Sequence, residues 1–225
     1  MITRWTKSHK KVMYDSRINT TSRLVRAFEM MPSKPPLFIS TSAVGFYAEG
    51  VKQTEDNFKR ADDFLGTLAY DWEQAALKAV PLGVRTVVFR FGIVLGKGGG
   101  MLGKILLPFK LGLGGVIGDG SQSFSWVQIK DLERAYMAAI ADDSFNGVYN
   151  LTSPNPTTNR GLTKALGKAL NRPTVLPLPK FALRLLFGEG ATAVIGGQEV
   201  YPKRLVEAGF KFVYPDIDAA VKASV

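Results

Sequence analysis

Gly83-Val-Arg-Thr-Val-Val-Phe-Arg-Phe-Gly-Ile-Val-Leu95 is a nearly unbroken apolar and β-branched run that opens on glycine. It lacks the two-residue alternation of a half-exposed strand. Such runs suit a parallel sheet covered on both faces. Upstream, residues 64–80 carry Leu68, Trp72, Ala75, Ala76 and Ala79 at helical spacing, with Asp62 and Asp63 placed to cap that helix. Before it, Leu37-Phe38-Ile39 reads as a buried strand that reaches a loop at Ser40-Thr41-Ser42. Residues 10–31 read as a helix stopped by Met-Pro-Ser-Lys-Pro-Pro. Downstream, strands are expected at 124–129 and 147–151. Helices are expected near 101–111, 131–142, 158–170, 179–187 and from Asp216. Strand alternating with helix marks the α/β class.

Composition narrows the chemistry. The 225 residues include no cysteine, which excludes cysteine nucleophiles, and one histidine, His9, which leaves His-based zinc clusters and Ser-His-Asp triads nearly out of reach. No apolar run approaches the ~18 residues needed to span a bilayer, and the charged start lacks a signal-peptide core. A cytoplasmic protein with no membrane partner is expected. Residues 1–35 carry +6 of the net +10. The basic start is read as a solvated helix face rather than a nucleic-acid surface, because no aromatic-basic recognition motif accompanies it.

Residues 96–120 hold 10 of the 23 glycines. Gly98-Gly-Gly-Met-Leu-Gly103 fits G-x-G-x-x-G after a strand, and Gly98 to Lys104 nearly makes a phosphate loop. Ile105 stands where that loop needs a magnesium-binding hydroxyl, and Asp119 does not end a second strand. A flexible wall over a pocket is the preferred reading. Ser40-Thr41-Ser42 lies at the carboxyl end of a parallel strand, where open α/β sheets bind ligands. Its hydroxyls either contact a cofactor or substrate, or cap a loop.

STSAVGFYA, DDFLGTLAYDWEQAA, RTVVFRFGIVLGKGGGMLGKILLPFKLGLGGVIGDGSQSFSWVQIKDL and VYNLTSPNPTTN occur here in this order. Together they resemble an epimerase-like family of extended short-chain dehydrogenase/reductases. The tail from LPLPKFALRLLFGEG onward resembles that family's C-terminal domain of unknown function. The resemblance implies an α/β fold whose Rossmann-like parallel sheet is incomplete, lacking its first βαβ segments, plus a smaller C-terminal substrate-side region. Residues 1–95 and 128–152 would form the dinucleotide-binding part, and 96–127 with 153–225 the substrate side.

A completed chain is expected to be an NADP- or NAD-dependent oxidoreductase or epimerase acting on a small molecule. The alternative is a non-catalytic remnant or binding subunit that needs a separate N-terminal half. Alone, the chain is expected to bind the dinucleotide weakly or not at all, and to self-associate through an exposed sheet edge. The resemblance makes Ser42 the catalytic serine and places Thr41 near the nicotinamide ribose. It puts the Val94 backbone at the nicotinamide amide, and Gln122 and Trp126 on the substrate side. Arg17 is either a dinucleotide contact or a surface arginine, and Trp126 is equally readable as core. The superfamily's Tyr-x-x-x-Lys pair is missing, since no tyrosine has lysine at +4. Tyr47 and Asp71 remain as acid/base candidates.

Overall fold

A computed structural model describes residues 4–225. Helix α1 (Lys7–Met30) starts where the Thr6 side chain accepts from the His9 N–H at 3.1 Å, and ends before Pro32. Strand β1 (Leu37–Ala43) and the short β2 (Lys52–Gln53) follow. Helix α2 (Phe64–Leu77) is capped by Asp63, which accepts from the Gly66 N–H at 2.8 Å. Next come β3 (Arg85–Phe91), β4 (Ile93–Leu95), α3 (Gly100–Lys110), β5 (Ser123–Phe124) and β6 (Trp126–Gln128). Helix α4 (Ile129–Ala141), β7 (Gly147–Leu151), β8 (Thr157–Thr158) and α5 (Asn159–Leu170) lead into the C-terminal part. It contains α6 (Lys180–Phe187), α7 (Thr192–Ile195), β9 (Glu199–Val200), α8 (Lys203–Glu207) and α9 (Ile217–Ser224).

The main sheet is parallel, in the order β1-β3-β7. Helices cover both of its faces, which is why β3 needs no polar alternation. On one face Phe38 meets Phe28 of α1 edge-to-face at 5.4 Å. On the other, Phe89 lies 5.2 Å from Tyr136 of α4, and Leu205 of α8 joins the same cluster. The chain is thus Rossmann-like α/β. Strand β1 ends the sheet, and its outer backbone edge pairs with no strand among the described residues.

Three sequence expectations need correction. The strand expected at 124–129 is two, β5 paired with β8 and β6 paired with β4, and α4 takes over at Ile129. Ser40, Thr41 and Ser42 lie within β1, not in a loop, because the ladder with β3 runs on to Ala43↔Phe91. The run 85–95 is also two strands. At Gly92 the chain changes partners: its N–H donates to Leu151 O at 3.1 Å, and the next N–H, from Ile93, donates to Ser125 O at 2.8 Å. A Cβ at Gly92 would stand 2.9 Å from Ser125 O and 3.0 Å from the Thr152 methyl. The backbone oxygen cannot give way. Gly92→Ala should therefore cost about 1–3 kcal/mol as an overpacking strain, read as a lower midpoint in urea unfolding.

Candidate active site at the carboxyl end of the sheet

Successive strand residues point to opposite faces. Thr41 and Ser42 therefore separate. Ser42 Oγ donates to Glu73 Oε1 of α2 at 2.6 Å. Arg90, in the central strand β3, grips the same carboxylate with two bonds, Nε to Oε1 at 2.7 Å and Nη2 to Oε2 at 2.6 Å. Its Nη1 donates to Tyr47 Oη at 2.7 Å, and Tyr47 Oη in turn donates to Asn150 Oδ1 at 2.7 Å. Asn150 Nδ2 ends the chain on Tyr201 O at 2.9 Å. The Phe46 ring closes over the guanidinium at 3.6 Å. Ser42 is 1% exposed and Tyr47 0%, and Glu73, Arg90 and Asn150 are buried with them.

Burial opposes the charge on Arg90, but the Glu73 carboxylate and the Tyr47 hydroxyl outweigh it and hold the guanidinium pKa above its ordinary value. Burial pushes the Tyr47 phenol up to about 12, with Arg90 and Asn150 pulling the other way. Tyr47 is therefore a neutral, fully paired phenol near neutral pH. Since its folded pKa exceeds the ordinary value of about 10, its stability contribution is intact below about pH 10. It is lost as pH rises through about 12. Tyr201, raised to about 12 chiefly by its bond to Glu199, titrates in the same window. Urea midpoints for wild type and Tyr47→Phe should both fall between pH 10 and 12, the wild type more steeply.

On the opposite face, Thr41 Oγ1 lies 3.2 Å from Tyr136 Oη. Val94 lies in β4, in register with Val127 of β6. Because the Ile93 N–H turns toward β6, the Val94 N–H and C=O turn away from it, to a side where no strand pairs with β4 among the described residues. Thr41 through its contact with Tyr136, and Val94 through the apolar cluster it shares with Ala135 and Ala139, thus both lie on the side that α4 covers, though in different sheets. Arg17 lies apart, on α1. It donates to Met13 O at 2.9 Å and stacks 5.5 Å from the Trp72 ring. Desolvation there lowers its pKa. Asp71 accepts from Tyr14 Oη at 2.8 Å and so sits in the α1–α2 contact.

Gln122 donates through Nε2 to Ile117 O at 3.2 Å, while its Oε1 is buried without a partner. Trp126 is fully buried among Leu95, Leu102 and Phe124, and its Nε1 is likewise unpartnered. The glycine turn at 98–100 follows β4, which pairs with β6 and lies outside the main sheet. Gly98 and Gly100 there adopt φ of 77° and 61°. Sequence reasoning missed Glu73, Arg90 and Asn150. The available signal was Arg90 itself, a charge inside an apolar strand that demands a buried partner.

The NAD dependent epimerase/dehydratase family matches residues 3–152. The chain belongs to that family. A domain of unknown function matches residues 178–224. A chloroplastic epimerase family protein of Arabidopsis thaliana is 40% identical over 98% of this chain, and the chain spans 64% of that relative's length. An epimerase family protein of Bos taurus is 38% identical over 97% of the chain, which spans 76% of its length. The crystal structure of a human epimerase family protein with NADPH superposes with a TM-score of 0.92 at 35% identity. It covers 98% of this chain, and the chain covers 76% of it. No helix of this family member is long and apolar enough, among the described residues, to cross a membrane.

Proposed function

We propose that this chain carries the nicotinamide-side and substrate-side residues of an NADP(H)-linked epimerase or oxidoreductase acting on a small molecule. The observation that carries the reading is the buried Ser42–Glu73–Arg90–Tyr47 chain at the carboxyl end of β1 and β3, the end at which open α/β sheets bind ligands. The human relative crystallised with NADPH supports the choice of cofactor. NAD serves as the alternative nicotinamide.

The residues present fit the nicotinamide end of such a cofactor. Val94 offers a free backbone N–H and C=O, a donor and an acceptor side by side that match a carboxamide. Thr41 offers a hydroxyl on the same side, and Arg17 a cation for the dinucleotide. When bound, the cofactor supplies the hydride acceptor or donor. Ser42 orients the reacting oxygen of the substrate. Its own hydrogen goes to Glu73, so the Oγ lone pairs face any substrate hydroxyl as acceptors. Arg90 fixes Glu73 with two bonds and thereby fixes Ser42. Tyr47, at the far end of the same chain, accepts from Arg90 and holds it in place, so the residue expected as an acid/base candidate acts by positioning. Gln122 and Trp126, each with an unpartnered buried polar atom, line the substrate side, and Trp126 is also core.

Affinity for the pyrophosphate is a separate matter. The Gly98–Gly100 turn carries no side-chain cap and leads into α3 away from the main sheet. Calorimetric titration of this chain with NADPH should give a dissociation constant well above 1 μM, the value that corresponds to ~8 kcal/mol. A micromolar or tighter constant would move the phosphate site to Gly98–Gly103.

A further inference from the structure

The two segments 97–118 and 160–187 together carry nine lysines and arginines and no aspartate or glutamate, in a chain with 19 acidic residues. The fold lays them side by side. Leu178 N–H donates to Val116 O at 2.8 Å, Gly118 N–H to Leu178 O at 2.9 Å, and Arg172 Nε to Lys110 O at 2.8 Å. Along this seam large apolar side chains stand in solvent. Leu111 is 64% exposed, Val175 76%, Phe181 73% and Leu185 76%. Phe181 and Leu185 lie one turn apart on α6, on one side of the helix. Leu183, buried against Ala191 and Ile195, anchors the other side, so the exposed pair is held outward.

We propose that this face docks on an anionic lipid surface. An amphipathic helix with Phe and Leu on one side and Lys/Arg beside them lies in the membrane interface, its apolar side chains buried and its cations against headgroups. Lys180 and Arg184 supply those cations on α6, and Lys110 and Arg172 supply them at the far end of the seam. The charge selects among occupants. Lys168 pairs with Asp218 at 2.6 Å and Lys180 lies 3.8 Å from Asp119, but most of the nine cations have no acidic neighbour on this face, and a second copy would bring those against themselves. A nucleic acid would match the charge and leave the aliphatic side chains in water. An anionic bilayer satisfies both. Docking of this kind needs no spanning run, so the sequence expectation of no membrane partner, built on run length, did not test it.

Flotation of the full chain with vesicles tests the assignment. Vesicles of phosphatidylcholine mixed with phosphatidylglycerol should carry the protein upward, and phosphatidylcholine alone should not. High salt should release it. Phe181→Ser combined with Leu185→Ser should abolish flotation while leaving the melting temperature unchanged, because both side chains are exposed. Lys180→Gln combined with Arg184→Gln should weaken partitioning about 30-fold, at the usual worth of a basic residue beside an anionic leaflet. Equal binding to both vesicle types, or flotation that survives the double serine substitution, would overturn the proposal. So would light scattering that shows a dimer dissolved by that substitution, with no vesicle binding by the wild type.

Discussion

Arg90→Leu should lower stability by ~3–5 kcal/mol, the usual result of stripping one partner from a buried ion pair. Both side chains of the pair are buried, at 6% and 3% exposure, so solvent screening does not soften the loss. The remaining carboxylate of Glu73 would keep only the Ser42 hydroxyl as a partner. Tyr47 would lose its donor, and the Phe46 ring the cation beneath it. In a domain of this size each kcal/mol moves Tm by about 2–4 °C, so the variant should melt about 6–20 °C lower. Glu73→Leu combined with Arg90→Leu should recover much of that loss, since apolar replacement of a whole buried pair is often neutral. Melts of the single and double variants measure the coupling directly. A single variant that melts within a degree or two of wild type would mean that the pair contributes little.

Ser42→Ala should lower NADPH-linked turnover by about 2- to 10-fold, ~0.5–1.5 kcal/mol, the usual net worth of one hydrogen bond accepted from a substrate hydroxyl. The effect should fall on kcat and leave cofactor affinity nearly intact, because Ser42 faces α2 whereas Thr41 and Val94 face α4. The fold should survive, since Glu73 keeps both of its bonds from Arg90. Unchanged turnover would reduce Ser42 to a structural hydroxyl that satisfies a buried carboxylate.

Much of the architecture is legible in the chain. Asp63 and Asp216 announce helix starts by their capping chemistry, and both side chains accept the expected N–H groups. The unalternating Val87-Val88-Phe89 centre of β3 announces a strand covered on two faces, and the structure covers the sheet with α1 and α2 on one side and α4 on the other. The break at Gly92 was not legible, because its cause is Ser125, 33 residues away, whose backbone fills the space a side chain would need. The hydroxyl triplet at 40–42 reads as loop on composition, since serine and threonine favour turns. The ladder to β3 overrides that preference.

The site divides in the same way. Ser42 and Tyr47 were visible as chemistry at a strand end. That Glu73 and Arg90 join them was hidden, because a strand arginine and a helix carboxylate 17 residues earlier show no local pattern. The resemblance to the family named the serine and was silent on what holds it. Val94 shows the opposite case. Its side chain is unremarkable, and its interest lies in backbone groups that β6 leaves unclaimed.

The contact between the nicotinamide and this chain decides whether Thr41, Ser42 and Val94 stand at a reacting centre. Titrating NADPH to millimolar concentration into the isotopically labelled protein, followed by amide chemical shifts, tests that contact even when binding is weak. The shifts should cluster at Thr41, Ser42 and Val94, with Arg17 moving in parallel, and should saturate at one common dissociation constant. Shifts confined to Gly98–Gly103 and Lys104, with Thr41 and Val94 unmoved at saturation, would contradict the account.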